Sequence, residues 1–197
     1  MKSAGNIRAV AGLQPDYMGF IFYEKSARYL TDTIPDIPSE IRKVGVFVNA
    51  TSLEINKKIS DYPLSAIQLH GNETPEFCQE LKQNHPSIEI IKAFSVGKSF
   101  DFSILAQYGT IVDYFLFDTK GANPGGNGFT FDWQLLQEYP YSIPFFLSGG
   151  IGVEHADAIR QLSESGLPLY AIDINSRFET QPGIKNIPLL NEFISKL

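Results

Sequence analysis

Asp118 closes an apolar, aromatic run, Phe115-Leu-Phe-Asp118, and is followed by a stretch holding Gly121, Gly125, Gly126 and Gly128 before Asp132 and Trp133. An unpaired carboxylate deep in a core is too costly, so Asp118 must face either solvent at the end of its strand or a polar cavity. In a cavity it is an acid held rigidly at the mouth of a loop and placed for proton transfer. At the surface it is a turn-starting Asp with ordinary loop glycines behind it. Asp132 reads as the cap of a following helix.

Ser148-Gly149-Gly150-Ile151 carries a second candidate chemistry. Glycines between a strand and a helix let backbone amides approach an anion, and the helix N-terminus adds a favourable dipole; Asn175 and Ser176, after the next apolar run, can complete the cradle. The same residues also suit a tight strand-to-helix turn. Two such loops after consecutive late strands favour a phosphate. Arg28 shares a loop with Lys25, where its planar fork could hold a carboxylate bidentately or form half of a solvated pair. His70, in Gln68-Leu-His70-Gly71, either donates to a substrate oxygen or is a satisfied structural histidine, and Asp173 either orients a ligand or anchors a loop. Cys78, beside Phe77 and near Leu81 on a helical pattern, reads as a packed side chain rather than a nucleophile.

Positioning these groups requires a regular scaffold. Apolar runs recur at residues 18–22, 44–48, 66–69, 88–94, 114–117, 144–147 and 169–174, which predicts about seven buried parallel strands. Between them, residues 39–42, 52–60, 74–84, 100–108, 132–139, 153–165 and 189–197 fit helices with one apolar face, and a short helical segment over 6–13 precedes the first strand. Such alternation means α/β architecture, and the strand spacing is close to the unit of a TIM (β/α)8 barrel. A doubly wound open sheet would place its glycine-rich turn after an early strand. Here the glycine loops follow the last three strands, where barrels bind phosphate. The strand ends that would then line the site also include Asn49 and Lys92.

The 197 residues, 43% of them apolar, suit a single barrel domain over 1–197 with a substantial core. The net charge of −6 argues against a nucleic-acid or anionic-membrane surface, since both need basic patches. One cysteine cannot form an internal disulfide and no long apolar run is present, so a cytoplasmic location is expected. The three histidines lack ligand spacing, and no metal site is expected. Monomer and homodimer both remain open.

Four segments, in order, resemble the phosphoribosylanthranilate isomerases of tryptophan biosynthesis: Gly19-Phe-Ile-Phe-Tyr-Glu-Lys-Ser-Ala-Arg-Tyr29, Gln68-Leu-His-Gly71, Phe117-Asp-Thr-Lys with Gly125-Gly-Asn-Gly-Phe-Thr-Phe-Asp-Trp133, and Leu147-Ser-Gly-Gly-Ile151. The resemblance spans nearly the whole chain. It implies an Amadori rearrangement of N-(5-phosphoribosyl)anthranilate to the open-chain 1-deoxyribulose 5-phosphate, with no metal or organic cofactor. It gives Asp118 the role of general acid and sets Arg28 against the anthranilate carboxylate. His70 and Asp173 fall at other polar positions of the pocket, while Gly149, Gly150, Ile151, Asn175 and Ser176 fall in the phosphate loops. A phosphosugar epimerase would show metal-ligand histidines, and an indole-forming barrel lyase its own lysine and glutamate set.

One departure bears on activity. The family begins with a strand ending in Lys-[Ile/Val]-Cys-Gly, whose cysteine is the general base at the sugar C2, and no such segment precedes the first helix here. Ala27 also stands where a proline is common. Without that strand the isomerase reading carries an alternative, a noncatalytic phosphosugar-binding barrel. The strands on either side of the gap are expected to present open edges.

Overall fold

A computed structural model of the chain describes residues 1–119 and 130–197. The glycine-rich stretch after Asp118 falls at 120–129, outside the described residues.

Seven parallel strands form one sheet in strict chain order: β1 (Tyr17–Ile21), β2 (Arg42–Phe47), β3 (Ala66–Leu69), β4 (Glu89–Val96), β5 (Tyr114–Thr119), β6 (Phe145–Leu147) and β7 (Leu169–Ile172). Sequential parallel order with helical crossovers is the topology of a TIM-barrel-like α/β fold. Each of the seven apolar runs forms the strand expected of it. The main helices are α1 (Ala4–Ala11), α2 (Ser52–Asp61), α3 (Pro75–Asn84), α4 (Ala156–Glu164) and α5 (Ile187–Ile194).

Local chemistry fixes the helix starts. Thr51 caps α2 in a full capping box with Glu54, and Thr74 caps α3 just ahead of Pro75, whose missing N–H costs nothing at that position. Residues 39–42 do not form a helix. Pro38 and Ser39 enter a turn, Ile41 N donates to Pro38 O at 3.2 Å, and Arg42 already belongs to β2, because four residues hemmed by proline cannot repay helix nucleation. The segments at 100–108 and 132–139 are tight 3-10 turns, Phe102–Gln107 and Trp133–Glu138, capped by Asp101 and Asp132. After β7 comes an antiparallel hairpin that the strand pattern did not suggest, β8 (Glu179–Gln181) and β9 (Ile184–Lys185), turned at Gly183 with φ +86°.

The sheet separates two apolar layers. The larger holds the outward row of the strands against the helices, with Phe20, Phe47, Phe115, Phe117 and Phe145 fully buried. The smaller is the inward row, Val44, Ala66, Ile91, Ala93, Leu116 and Phe146, with Tyr17, Tyr114 and Ala171 against it. Side chains alternate along a strand, so continuing this inward row by two residues brings Gln68 and His70, Asp118, Ser148 and Asp173 to the C-terminal ends of β3, β5, β6 and β7 on one face.

β1 and β7 are the sheet's two edges, and among the described residues no strand joins them. The outward backbone of β1 is met by Met1, whose nitrogen donates to Gly19 O at 3.2 Å, and by Leu30, whose N–H donates to Ile21 O at 2.9 Å. β7 keeps no fully buried residue, and Tyr170 on it is 47% exposed, as a strand with one neighbour should be.

Candidate active site

One cavity of about 870 Å³ runs from the C-terminal ends of the strands into the gap between β1 and β7. Its walls hold nine of the residues singled out in the sequence: Arg28, His70, Asp118, Gly149, Gly150, Ile151, Asp173, Asn175 and Ser176. Lys92 and Asn49 are not among them: exposed Asn49 holds the loop after β3 instead, its Oδ1 accepting from Asn72 N at 2.7 Å. Residues 91 and 93 occupy the inward row of β4, so Lys92 points the other way, into a buried ion pair with Glu73.

Asp118 is 4% exposed. Its Oδ1 accepts from Thr119 N at 2.9 Å, and its Oδ2 lies 3.2 Å from His70 Nε2. Gly149, with φ +92°, brings the next loop directly over it: Thr119 Oγ1 donates to Gly149 O at 3.3 Å and accepts from Phe131 N at 3.0 Å. The carboxyl therefore faces the cavity with its rotamer fixed by neighbours on both sides. Gly150 follows at φ +66°, a left-handed conformation that suits glycine, and Gly152 N is capped by His155 Nδ1 at 2.9 Å where the chain turns toward α4.

Asp173 sits across β6 from Asp118 and accepts from Ser148 Oγ at 3.2 Å. Burial pushes its carboxyl upward, Lys185 pulls it back, and the Asp118 charge adds to the rise. Lys185 projects from the hairpin to donate to Asn175 O at 3.0 Å and Asn175 Oδ1 at 2.8 Å, and its own pKa is lowered by burial. That brace fixes Asn175 beside Ser176.

Arg28 lines the cavity with its fork engaged. Its Nε lies 3.1 and 2.9 Å from the two carboxylate oxygens of Glu179, and its NH2 2.7 Å from Oε2. Burial raises the Glu179 carboxyl, but the Arg28 hydrogen bond and the charges of Lys185 and Arg28 outweigh it and hold the group below its ordinary value. Arg28 is thus already held by a carboxylate of the fold, and a second carboxylate reaching it must share the guanidinium with Glu179.

Cys78 is buried in α3, on the helix side of the sheet, and burial pushes its thiol up to about 12. It packs, as expected, and among the described residues no thiol lines the cavity.

The family model for N-(5'-phosphoribosyl)anthranilate isomerase matches residues 1–196. The chain belongs to this family of tryptophan biosynthesis. A relative of that name from Parabacteroides distasonis is 44% identical, with 100% of this chain and 90% of the relative covered. The phosphoribosyl anthranilate isomerase of Thermotoga maritima superposes with a TM-score of 0.81 at 30% identity, covering 100% of this chain and 94% of that one, and monomers generated from the dimeric enzyme of that organism superpose at 0.73 and 28% over the same shares. A family structure in complex with reduced 1-(o-carboxyphenylamino)-1-deoxyribulose 5-phosphate superposes at 0.76 with 29% identity, again covering 100% and 94%.

Within this isomerase scaffold, Glu179 and Lys185 are the site residues that sequence reading passed over. They arrive on the hairpin after β7, and the signal was available in Pro182-Gly183, a turn pair between two short runs. Among the described residues no helix is long and apolar enough to cross a membrane, and no group of three metal-ligating side chains is present.

Proposed function

We propose that the cavity takes N-(5-phosphoribosyl)anthranilate with its phosphate on Gly149, Gly150, Ile151, Asn175 and Ser176, and its anthranilate carboxylate toward Arg28. Asp118 then protonates the ring oxygen as the furanose opens to an iminium, and His70 and Asp173 face the sugar hydroxyls. No cofactor takes part. The observation that supports this reading is the contact of Asp118 with the Gly149 loop: the acid and the proposed phosphate cradle share one wall, within the span of a phosphosugar. The second proton transfer, from the sugar C2, needs a base. The resemblance makes that base a thiol on a strand, and the place for such a strand is the gap between β1 and β7. For a polypeptide of these 197 residues alone, isomerisation is expected to fall by orders of magnitude, since general base catalysis is commonly worth about 10²–10⁴-fold.

A noncatalytic phosphosugar-binding barrel is the second reading, favoured by the lack of a thiol among the described cavity walls. Growth complementation of a tryptophan auxotroph lacking this isomerase separates the two. Rescue only by a version carrying a Cys-Gly strand ahead of Met1 supports the isomerase site; failure of both versions supports the binding barrel. The proposed setting is a single cytoplasmic domain, monomeric or homodimeric.

A further inference from the structure

Gln68 is buried on the inward row of β3, two residues before His70, and neither proton transfer of the isomerisation uses it. Its amide nitrogen lies 2.7 Å from His70 Nδ1, and on the far side of the ring Nε2 lies 3.2 Å from Asp118 Oδ2. With the amide nitrogen, a donor, on that side, Nδ1 is the accepting nitrogen and the ring N–H is Nε2–H, facing the carboxyl. We infer that Gln68 is a positioning residue that fixes His70 as the Nε2–H tautomer, so that the imidazole donates to Asp118. The inference rests on Asp118 being the acid.

The direction of that hydrogen bond matters to the proton transfer. When the Asp118 carboxyl gives its proton to the ring oxygen, a carboxylate remains, and two donors already face it, Thr119 N–H on Oδ1 and His70 Nε2–H on Oδ2. Donors fixed before the charge develops stabilise it without reorganisation. With the opposite tautomer a bare Nε2 would face the carboxyl and hold its proton back by accepting it. The ring is also carried on a braced peptide: Lys92 Nζ donates to Leu69 O at 3.1 Å and to Gly71 O at 2.8 Å, on either side of His70. The charged groups around the imidazole are Asp118 from β5 and Asp173 from the end of β7, with the Lys92–Glu73 pair behind its loop.

Ring-nitrogen NMR on the chain labelled with ¹⁵N-histidine tests this directly. The signals of His70 are separated from those of His85 and His155 by their loss in a His70→Asn control. At neutral pH the wild-type ring is expected to show a proton-free Nδ1 and a proton-bearing Nε2. Gln68→Glu places only acceptors against Nδ1 and should move a proton onto it. Gln68→Met, free of any buried charge, should give a mixture of tautomers. In the form carrying the Cys-Gly strand, both variants should lower kcat by about 10–100-fold, within the range of acid catalysis, and leave KM within a few-fold. A proton-bearing Nδ1 in the wild type, ring signals unmoved in both variants, or unchanged kcat would each overturn the inference. Unchanged turnover in Asp118→Asn overturns the acid assignment instead, and the ring spectrum is read without reference to turnover.

Discussion

A Cβ built on Gly149 would stand 2.7 Å from Asp118 Oδ1, closer than real Cβ contacts come, and the φ of +92° at that glycine is one that other residues rarely adopt. The loop after β6 therefore lies against the acid because position 149 has no side chain. Gly149→Ala is expected to cost about 1–3 kcal/mol in backbone strain and to displace either the loop or the carboxyl. Urea unfolding reads the first effect. Stability equal to the wild type would show that the loop lies elsewhere in solution.

Lys92 and Glu73 form a pair almost wholly out of solvent, 3.1 Å apart, and Glu73 also accepts from Gly71 N at 2.9 Å and Asn49 N at 2.8 Å. Removing one partner strands the other's charge. Lys92→Met should destabilise the fold by about 3–5 kcal/mol, and adding Glu73→Gln should recover part of that loss. If the double variant is less stable than Lys92→Met in chemical denaturation, the pair is not coupled as drawn.

Glu179 titrates below its ordinary value of 4.5 in the folded chain, so its contribution to stability is present above 4.5 and is lost as pH falls through the depressed value. A glutamine side chain at this position has no such titration. Thermal melts followed from neutral pH down through the carboxylate range should show a shallower acid loss in Glu179→Gln than in the wild type. Parallel acid limbs would contradict the pairing with Arg28.

Arg28→Lys keeps a positive charge near Glu179 but removes the planar fork. A charged hydrogen bond is worth about 1.5–3 kcal/mol, so the KM of the strand-bearing form should rise roughly 10–100-fold with little change in kcat. A fall in kcat at constant KM would place Arg28 in the chemistry rather than in binding.

The strands were legible in the sequence because each is a near-continuous apolar run buried on both faces, and the polar residues that end those runs marked the site. Every apolar run ending in Gln68-Leu-His70, Asp118, Ser148 or Asp173 delivered its polar end to the cavity. Lys92 broke the same rule in reading, since its odd-even position on β4 faces the helices and only the register of the inner row reveals it. Short helices were harder: the 3-10 turns after Asp101 and Asp132 share their caps with α-helices, and the choice between them is made by packing. The occupancy of the Arg28 fork was not legible, because Glu179 lies 151 residues away and meets it through the hairpin.

Everything in the proposed mechanism turns on Asp118 acting as the acid at the ring oxygen. The most direct measurement is the kcat of Asp118→Asn in the strand-bearing form, taken beside the affinity of both proteins for the reduced deoxyribulose phosphate product. A fall of about 10²–10⁴-fold in kcat with affinity held within a few-fold is the expected result. Turnover near that of the parent would contradict it.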